Sequence, residues 1–234
     1  VSRPIAVVTG GTLGIGRACA ERLAADGFEV VAAARRAPAA PLPAGVRFAP
    51  LDVTDPASVR AFFAGLPAPQ LLVTAAGTAG GDPPEDPEEA HWRGILGTNL
   101  DGAWRCAMAV RDRLPDGAGR IVNIASVLGL RGVPDQVAYC AAKHGVVGLT
   151  RALALQLAPR GITVNAVCPG WVATAMAEAR WRELGMTEAD AARGTPTGRI
   201  TTPEEIAGVV AFLASPAAGN ITGQALVVDG GAIG

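Results

Sequence analysis

The chain has few of the residues that usually carry phenol and amine chemistry. Its 234 residues hold one tyrosine, one lysine beside nineteen arginines, two histidines and 4% aromatic residues in all. Its four cysteines (Cys19, Cys106, Cys140 and Cys168) lie far apart and form no Cys-x-x-Cys pair, so neither a zinc site nor a disulfide framework is indicated. They read as small packing residues in a reducing cytoplasm. A formal net charge of -1 offers no electrostatic footprint for nucleic acid. No apolar run approaches the roughly 20 residues of a membrane span, and the opening VSRPIAVVTG leads into a strand pattern rather than a signal peptide. The expectation is a cytoplasmic chain with no membrane or nucleic-acid partner and no metal, in which the sequon Asn220-Ile221-Thr222 has no glycosylation role.

What is present points to an α/β protein. Half of the residues are hydrophobic, enough for one large domain spanning 1–234. Short β-type runs (IAVVT, EVVAAA, a third ending near PLDVTD, LLVTAA, RIVNIAS, TVNAVCP, ALVVDG) alternate with helical patterns: RACAERLAAD, PASVRAFFAG, and stretches near 95–113, 137–158 and 203–213. Strands this apolar are expected to be buried on both faces, which implies a doubly wound Rossmann-type sheet of about seven parallel strands with helices on either side. Thr202-Pro203-Glu204-Glu205 has the form of a helix start closed by a capping box.

TGGTLGIG follows the first strand and opens into a helix, with Gly10, Gly14 and Gly16 in a G-x-x-x-G-x-G spacing. Glycines there allow a tight turn and close approach to a pyrophosphate, while the helix N-terminus offers free N–H groups. Gly10, Thr12, Leu13, Gly14, Ile15 and Gly16 are the candidate cradle. The second strand ends in Ala34-Arg35-Arg36 with no carboxylate to bind a ribose 2′-hydroxyl, and two guanidiniums able to fork onto a 2′-phosphate favour NADPH/NADP+ over NADH. Solvated loop arginines are the plainer alternative. Asp52 and Val53 are candidates for the adenine end, although Asp52 could equally cap the helix beginning near Pro56.

Tyr139 and Lys143 stand four positions apart in AYCAAKHG, the spacing that stacks two side chains on one helix face. An ammonium there favours the phenolate, lowering a pKa that is otherwise about 10. By spacing alone, a solvated pair on a helix surface is as good a reading. Ser126 closes RIVNIAS thirteen positions before Tyr139, and Asn99 lies in TNLDG. With these residues the chain closely resembles the short-chain dehydrogenase/reductase family: TGGTLGIG matches its cofactor turn, and Asn99, Ser126, Tyr139 and Lys143 match its catalytic tetrad in type, order and spacing. The resemblance extends to Pro169-Gly170 and the ending TGQALVVDGG. It implies Tyr139 as general acid toward a carbonyl, Lys143 as modulator of the phenol and holder of the nicotinamide ribose, and Ser126 as donor to the carbonyl oxygen. Asn99 would hold a water that links Lys143 to solvent. Ala75, Ala76, Gly77, Pro169, Gly170, Val172 and Thr174 match further cofactor contacts. The chain departs from the family at Thr74-Ala75-Ala76-Gly77, where the common form is Asn-Asn-Ala-Gly, so another group must satisfy the backbone at Ala75.

Within the family, the stretch from AAKHG to WVATAM is most similar to 3-oxoacyl-acyl-carrier-protein reductases and aromatic polyketide ketoreductases. The similarity implies an NADPH-dependent ketoreductase, and the alternative is a secondary-alcohol or dihydrodiol dehydrogenase working oxidatively. A dinucleotide sensor without activity would leave an intact tetrad unexplained. Leu128, Gly129, Val133, Gln136, Trp171, Met176 and Trp181 are the candidate pocket lining, with 171–198 as a lid; the two tryptophans could instead pack the lid or a subunit contact. A roomy apolar lining suits a cyclic or long apolar ketone. Arg160 matches one of the basic residues that the family's carrier-protein reductases use for docking, whereas the other falls at Gly117. Family likeness also implies a homotetramer.

Overall fold

The computed structural model describes residues 3–82 and 89–233. Seven strands form one parallel sheet: β1 (Ile5–Thr9), β2 (Glu29–Ala34), β3 (Val46–Pro50), β4 (Leu71–Thr74), β5 (Arg120–Ile124), β6 (Thr163–Pro169) and β7 (Ala225–Val228). Their order is β3-β2-β1-β4-β5-β6-β7, with every neighbouring pair parallel. The helices are α1 (Gly14–Ala25), α2 (Pro56–Ala64), α3 (Glu89–Leu96), α4 (Gly102–Val110), α5 (Val137–Leu157), α6 (Ala175–Glu183), α7 (Glu188–Arg193) and α8 (Pro203–Ala214).

Alternation along the strands divides the core between the two faces of the sheet, as a period of two requires. Val8, Val30 and Val122 pack with Leu23 of α1 and Ile206 and Val210 of α8. Val7, Val31 and Leu72, one position out of phase, pack on the other face with Phe63 of α2, Cys106 and Val110 of α4, and Leu153 and Leu157 of α5. Only the edge strands β3 and β7 keep partly exposed residues throughout.

Three expectations change in detail. The helix expected over 95–113 is broken: α3 and α4 are separated by a π-helical stretch, Gly97–Asp101, that contains Asn99. Such one-turn bulges commonly sit at functional sites because the extra residue re-aims a side chain. β5 ends at Ile124, so Ser126 stands beyond the strand, at the start of a 3-10 turn over Val127–Gly129. The cap of α2 is Asp55, whose carboxylate accepts from the N–H groups of Ala57 and Ser58; the Asp52 carboxylate instead accepts from the N–H and hydroxyl of Thr54. The capping box of α8 forms as expected, with Thr202 and Glu205 bonded reciprocally.

Candidate active site

The strand order reverses between β1 and β4, and the crevice at their carboxyl ends is the place where an open α/β sheet receives a ligand. On the β1 side stands the glycine turn. A Cβ on Gly16 would lie 2.3 Å from the Gly10 carbonyl oxygen, and one on Gly10 would lie 2.8 Å from the Ala75 carbonyl oxygen. Gly10 and Gly14 also hold positive φ, +68° and +51°. α1 begins with no side-chain cap and no acidic residue in its first turn, which leaves its N–H groups and positive dipole end for an anion. These features fit a dinucleotide pyrophosphate. Sequence reasoning missed Gly11: its Cβ would press to 2.7 Å from the Val8 carbonyl and 2.9 Å from Ala32 Cα, and the only signal for it was the glycine doublet.

Arg35 and Arg36 follow β2, are exposed, and have no ion pair or hydrogen-bond partner among the described residues. Arg35 and Asp52 line one open groove of about 670 Å³ along β3. Thr54, by hydrogen bonds from its side chain and backbone, and then Arg35 by its charge, hold the Asp52 carboxyl below the usual range. The departure at Ala75 is made good by Thr9 of β1, whose carbonyl accepts from the Ala75 N–H at 3.1 Å and whose hydroxyl accepts from the Ala76 N–H at 3.1 Å. Thr74 adds a buried link: its hydroxyl donates to Asn123 Oδ1 at 2.7 Å, and Asn123 Nδ2 donates to Thr150 on α5 at 2.9 Å.

On the β5 side, Ser126, Tyr139 and Lys143 come together. Ser126 caps the 3-10 turn, its hydroxyl accepting from the Leu128 N–H at 3.1 Å. Tyr139 is half-buried. Burial pushes its phenol up to about 12, while a hydrogen bond with the Ser126 side chain acts in the opposite direction. Lys143 is buried; its Nζ donates to the Ile124 carbonyl at 2.9 Å and lies 5.5 Å from the centroid of the Tyr139 ring. Burial lowers its ammonium to about 8. In this geometry Lys143 donates to a main-chain carbonyl, and at the tyrosine burial outweighs the Ser126 hydrogen bond.

Asn99 is 3% exposed. Its Nδ2 donates to the carbonyls of Thr78 and Ile95, each at 2.9 Å, and its Oδ1 accepts from the Thr78 N–H at 3.3 Å. The side chain straps the π turn to the loop after β4. An amide oxygen has two lone pairs, so a water would have one acceptor position left on this side chain. Gly77 is shaped by the strap, since a Cβ there would meet Asn99 Oδ1 at 2.9 Å.

Pro169 ends β6, and a Cβ on Gly170 would press to 2.7 Å from Asp229 Cβ. Val172 is buried, bridged to Thr201. Thr174 caps α6 and puts its methyl 3.3 Å from the Cβ position of Gly14, so the start of the lid faces the glycine turn across the crevice. Leu128, Val133 and Trp171 are half-buried and Met176 is exposed. Three expected lining residues have other duties. A Cβ on Gly129 would lie 2.7 Å from the Lys143 carbonyl oxygen, so this glycine seats the 3-10 turn on α5. Gln136 donates to the Gly80 carbonyl at 3.2 Å. Trp181 packs inside the lid with Ala177, Ala191 and Ile200, 5.7 Å from Trp171 between ring centroids.

Among the described residues, no group of three or more His, Cys, Asp or Glu could hold a metal ion, and no helix is long and apolar enough to cross a membrane. A family model described as enoyl-(acyl carrier protein) reductase matches residues 10–232. The monensin polyketide synthase ketoacyl reductase of Streptomyces virginiae is 40% identical, over 97% of this chain and 96% of that protein. The 3-oxoacyl-acyl-carrier-protein reductase FabG of Vibrio cholerae is 39% identical, again over 97% and 96%. Among solved structures, a singly substituted actinorhodin polyketide ketoreductase with NADPH superposes with a TM-score of 0.89 at 36% identity, covering 98% of this chain and 97% of that one. With the glycine turn, the crevice and the Ser126–Tyr139–Lys143 cluster in one parallel sheet, these likenesses make the chain a member of the short-chain dehydrogenase/reductase family.

Proposed function

We propose that the protein is an NADPH-dependent carbonyl reductase acting on a 3-oxoacyl, polyketide-type or cyclic apolar ketone. The observation that carries this reading is the meeting of the Ser126 and Tyr139 hydroxyls beside the buried Lys143 ammonium at the mouth of a glycine-lined crevice. A phenol pushed up to about 12 keeps its proton at neutral pH and is available as an acid. Tyr139 donates that proton to the carbonyl oxygen, and Ser126 donates a hydrogen bond to the same oxygen as charge develops on it. Lys143, charged below about pH 8, places a cation next to the phenol and supports the negative charge left there as the proton departs. The nicotinamide cofactor, when bound, supplies the hydride.

Gly10 to Gly16 and the free N-terminus of α1 hold the pyrophosphate, Arg35 and Arg36 fork onto the 2′-phosphate, and Asp52, Val53 and Ala75 to Gly77 border the adenosine. Pro169, Gly170, Val172 and Thr174 border the nicotinamide end. The stretch 171–198, with α6 and α7, is the lid over a single nucleotide-binding unit. Arg160 is committed within its own chain, donating to the carbonyls of Arg111 and Leu114, each at 2.6 Å, and pairing with Asp116 at 2.8 Å. We therefore place a free ketone ahead of one presented on a carrier protein. A homotetramer is supported by apolar side chains left exposed in two regions: Trp104 and Leu155 on α4 and α5, and Phe212 and Val227 on α8 and β7.

The test is NADPH oxidation by the purified protein against a bicyclic ketone, a 3-oxoacyl thioester and a plain aliphatic ketone, repeated with NADH. Turnover of the bicyclic ketone or thioester with NADPH is expected. Silence with every ketone, combined with oxidation of a cyclic diol or secondary alcohol by NAD+ or NADP+, would overturn the reductive direction and establish a dehydrogenase.

A further inference from the structure

Three separate stretches wall the mouth of the cleft, and one arginine joins them. α6 of the lid carries Arg180, which is only 8% exposed. Its Nη2 pairs with Asp135 in the segment that leads into α5 and Tyr139, and its Nη1 donates to Glu183 at 2.8 Å. Glu183 in turn accepts from the Gly81 N–H at 3.3 Å, in the loop after β4. That loop is tied to the segment before α5 by the Asp82 N–H donating to the Asp135 carbonyl at 2.9 Å, and by the Asp82 carboxylate accepting from the Val137 N–H.

The chain is built to accommodate this guanidinium. A Cβ on Gly81 would come within 2.8 Å of Arg180 Nη1, so a side chain at that position would displace it. With the pair closed, the space between α6 and the loop after β4 is a slot of about 140 Å³ lined by Gly77, Gly80, Met176 and Arg180, smaller than the ~300 Å³ at which pockets for drug-sized ligands begin. The Asp135 side chain is 46% exposed, so the pair lies at the rim, within reach of solvent, rather than in the core.

We propose that the Arg180–Asp135 pair is the clasp of the cleft and determines substrate size: closed, it joins the lid to the segment bearing the candidate acid and narrows the mouth, and a bulky ketone is admitted only as it parts. This rests on the carbonyl-reductase reading for its kinetic side and not for its mechanical side. The pair acts on specificity through the lid and has no part in the proton transfer.

The experiment compares wild type, Asp135→Asn and Arg180→Gln, all as full chains. Hydrogen exchange is followed by mass spectrometry over Ala175–Glu183, with α8 as internal control, and kcat/KM is measured for a bicyclic and a small aliphatic ketone. Losing one charge-assisted contact should speed exchange in α6 by about tenfold and leave α8 unchanged. The ratio of kcat/KM for bicyclic over aliphatic ketone should rise at least about fivefold in both variants. Unchanged exchange in α6 overturns the clasp. Faster exchange with an unchanged ratio overturns its role in specificity. If wild type reduces neither of these ketones nor the 3-oxoacyl thioester, the carbonyl-reductase reading fails on its own, and exchange still decides the clasp. Asp135→Asn keeps the main-chain bond from Asp82, so the test stands even if Arg180→Gln does not fold.

Discussion

The ammonium of Lys143 stands 5.5 Å from the centroid of the Tyr139 ring, yet it gives its hydrogen bond to the Ile124 carbonyl at 2.9 Å. Both groups are crowded by protein, and burial moves them in opposite directions: the phenol up to about 12 and the ammonium down to about 8.

The rate should therefore fall on the basic side well before the tyrosine titrates. A lowered pKa on a cation means that charge is lost at a lower pH than an ordinary lysine near 10.4 would lose it. Below about pH 8 Lys143 is charged and Tyr139 protonated, the pair of forms that reduction needs. The pH profile of kcat/KM for ketone reduction is expected to decline above about 8, and a flat profile to pH 10 would show that the lysine charge is not required.

Tyr139→Phe keeps the ring and removes the proton. Losing a positioned general acid costs about 10²–10⁴ in rate, so ketone turnover should drop by about a thousandfold while NADPH binding, followed by fluorescence, stays within about twofold. Retained turnover would place the proton source elsewhere.

Arg35→Ala with Arg36→Ala should weaken NADPH by at least about tenfold more than NADH, since hydrogen bonds to charged groups contribute about 1.5–3 kcal/mol each. Dissociation constants for both cofactors give the comparison. Equal losses would remove the 2′-phosphate assignment and leave the two arginines as loop residues.

Gly16→Ala puts a methyl 2.3 Å from the Gly10 carbonyl oxygen, with backbone on both sides of the clash. Overpacking of this kind costs about 1–3 kcal/mol. A lower melting temperature is expected, together with loss of the upward shift that saturating NADPH gives the wild type. A variant that NADPH still stabilises fully would show that the turn does not hold the pyrophosphate.

Thr74→Val removes the donor to Oδ1 of the fully buried Asn123. A buried polar group left without its partner costs about 1–3 kcal/mol, so the urea midpoint should fall. An unchanged midpoint would mean that the Thr74–Asn123 bond adds nothing to the joining of β4 and β5.

The layered sheet was legible because its signals are local. Apolar runs with period two mark the strands, glycines mark the turn after β1, and the Thr202–Glu205 box marks the start of α8. Tyr139 and Lys143 fell on one helix face because their spacing alone puts them there, and the family resemblance supplied Ser126 and Asn99. Features held by distant partners were not legible. The π turn at Gly97–Asp101 interrupts a continuous helical pattern, and Asn99 is held there partly by Thr78, 21 positions away. Nothing in the residues around Trp181 distinguishes a ring that packs the lid from one that lines a pocket. Arg180 reads as an ordinary surface charge until α6 folds against Asp135.

The first turn of α5 finds its acceptor in Asp82, 55 positions earlier, while Gln136 at the cap position gives the helix no side-chain cap. A helix whose opening N–H depends on so remote a carboxylate cannot complete that end by local winding, however readily the remainder of its 21 residues coils. The native cap of the turn that presents Tyr139 therefore exists only when the loop after β4 is in place beside it. The end of the helix that bears the candidate acid thus owes its start to a distant stretch of chain, and a change in that loop would reach Tyr139 without touching it.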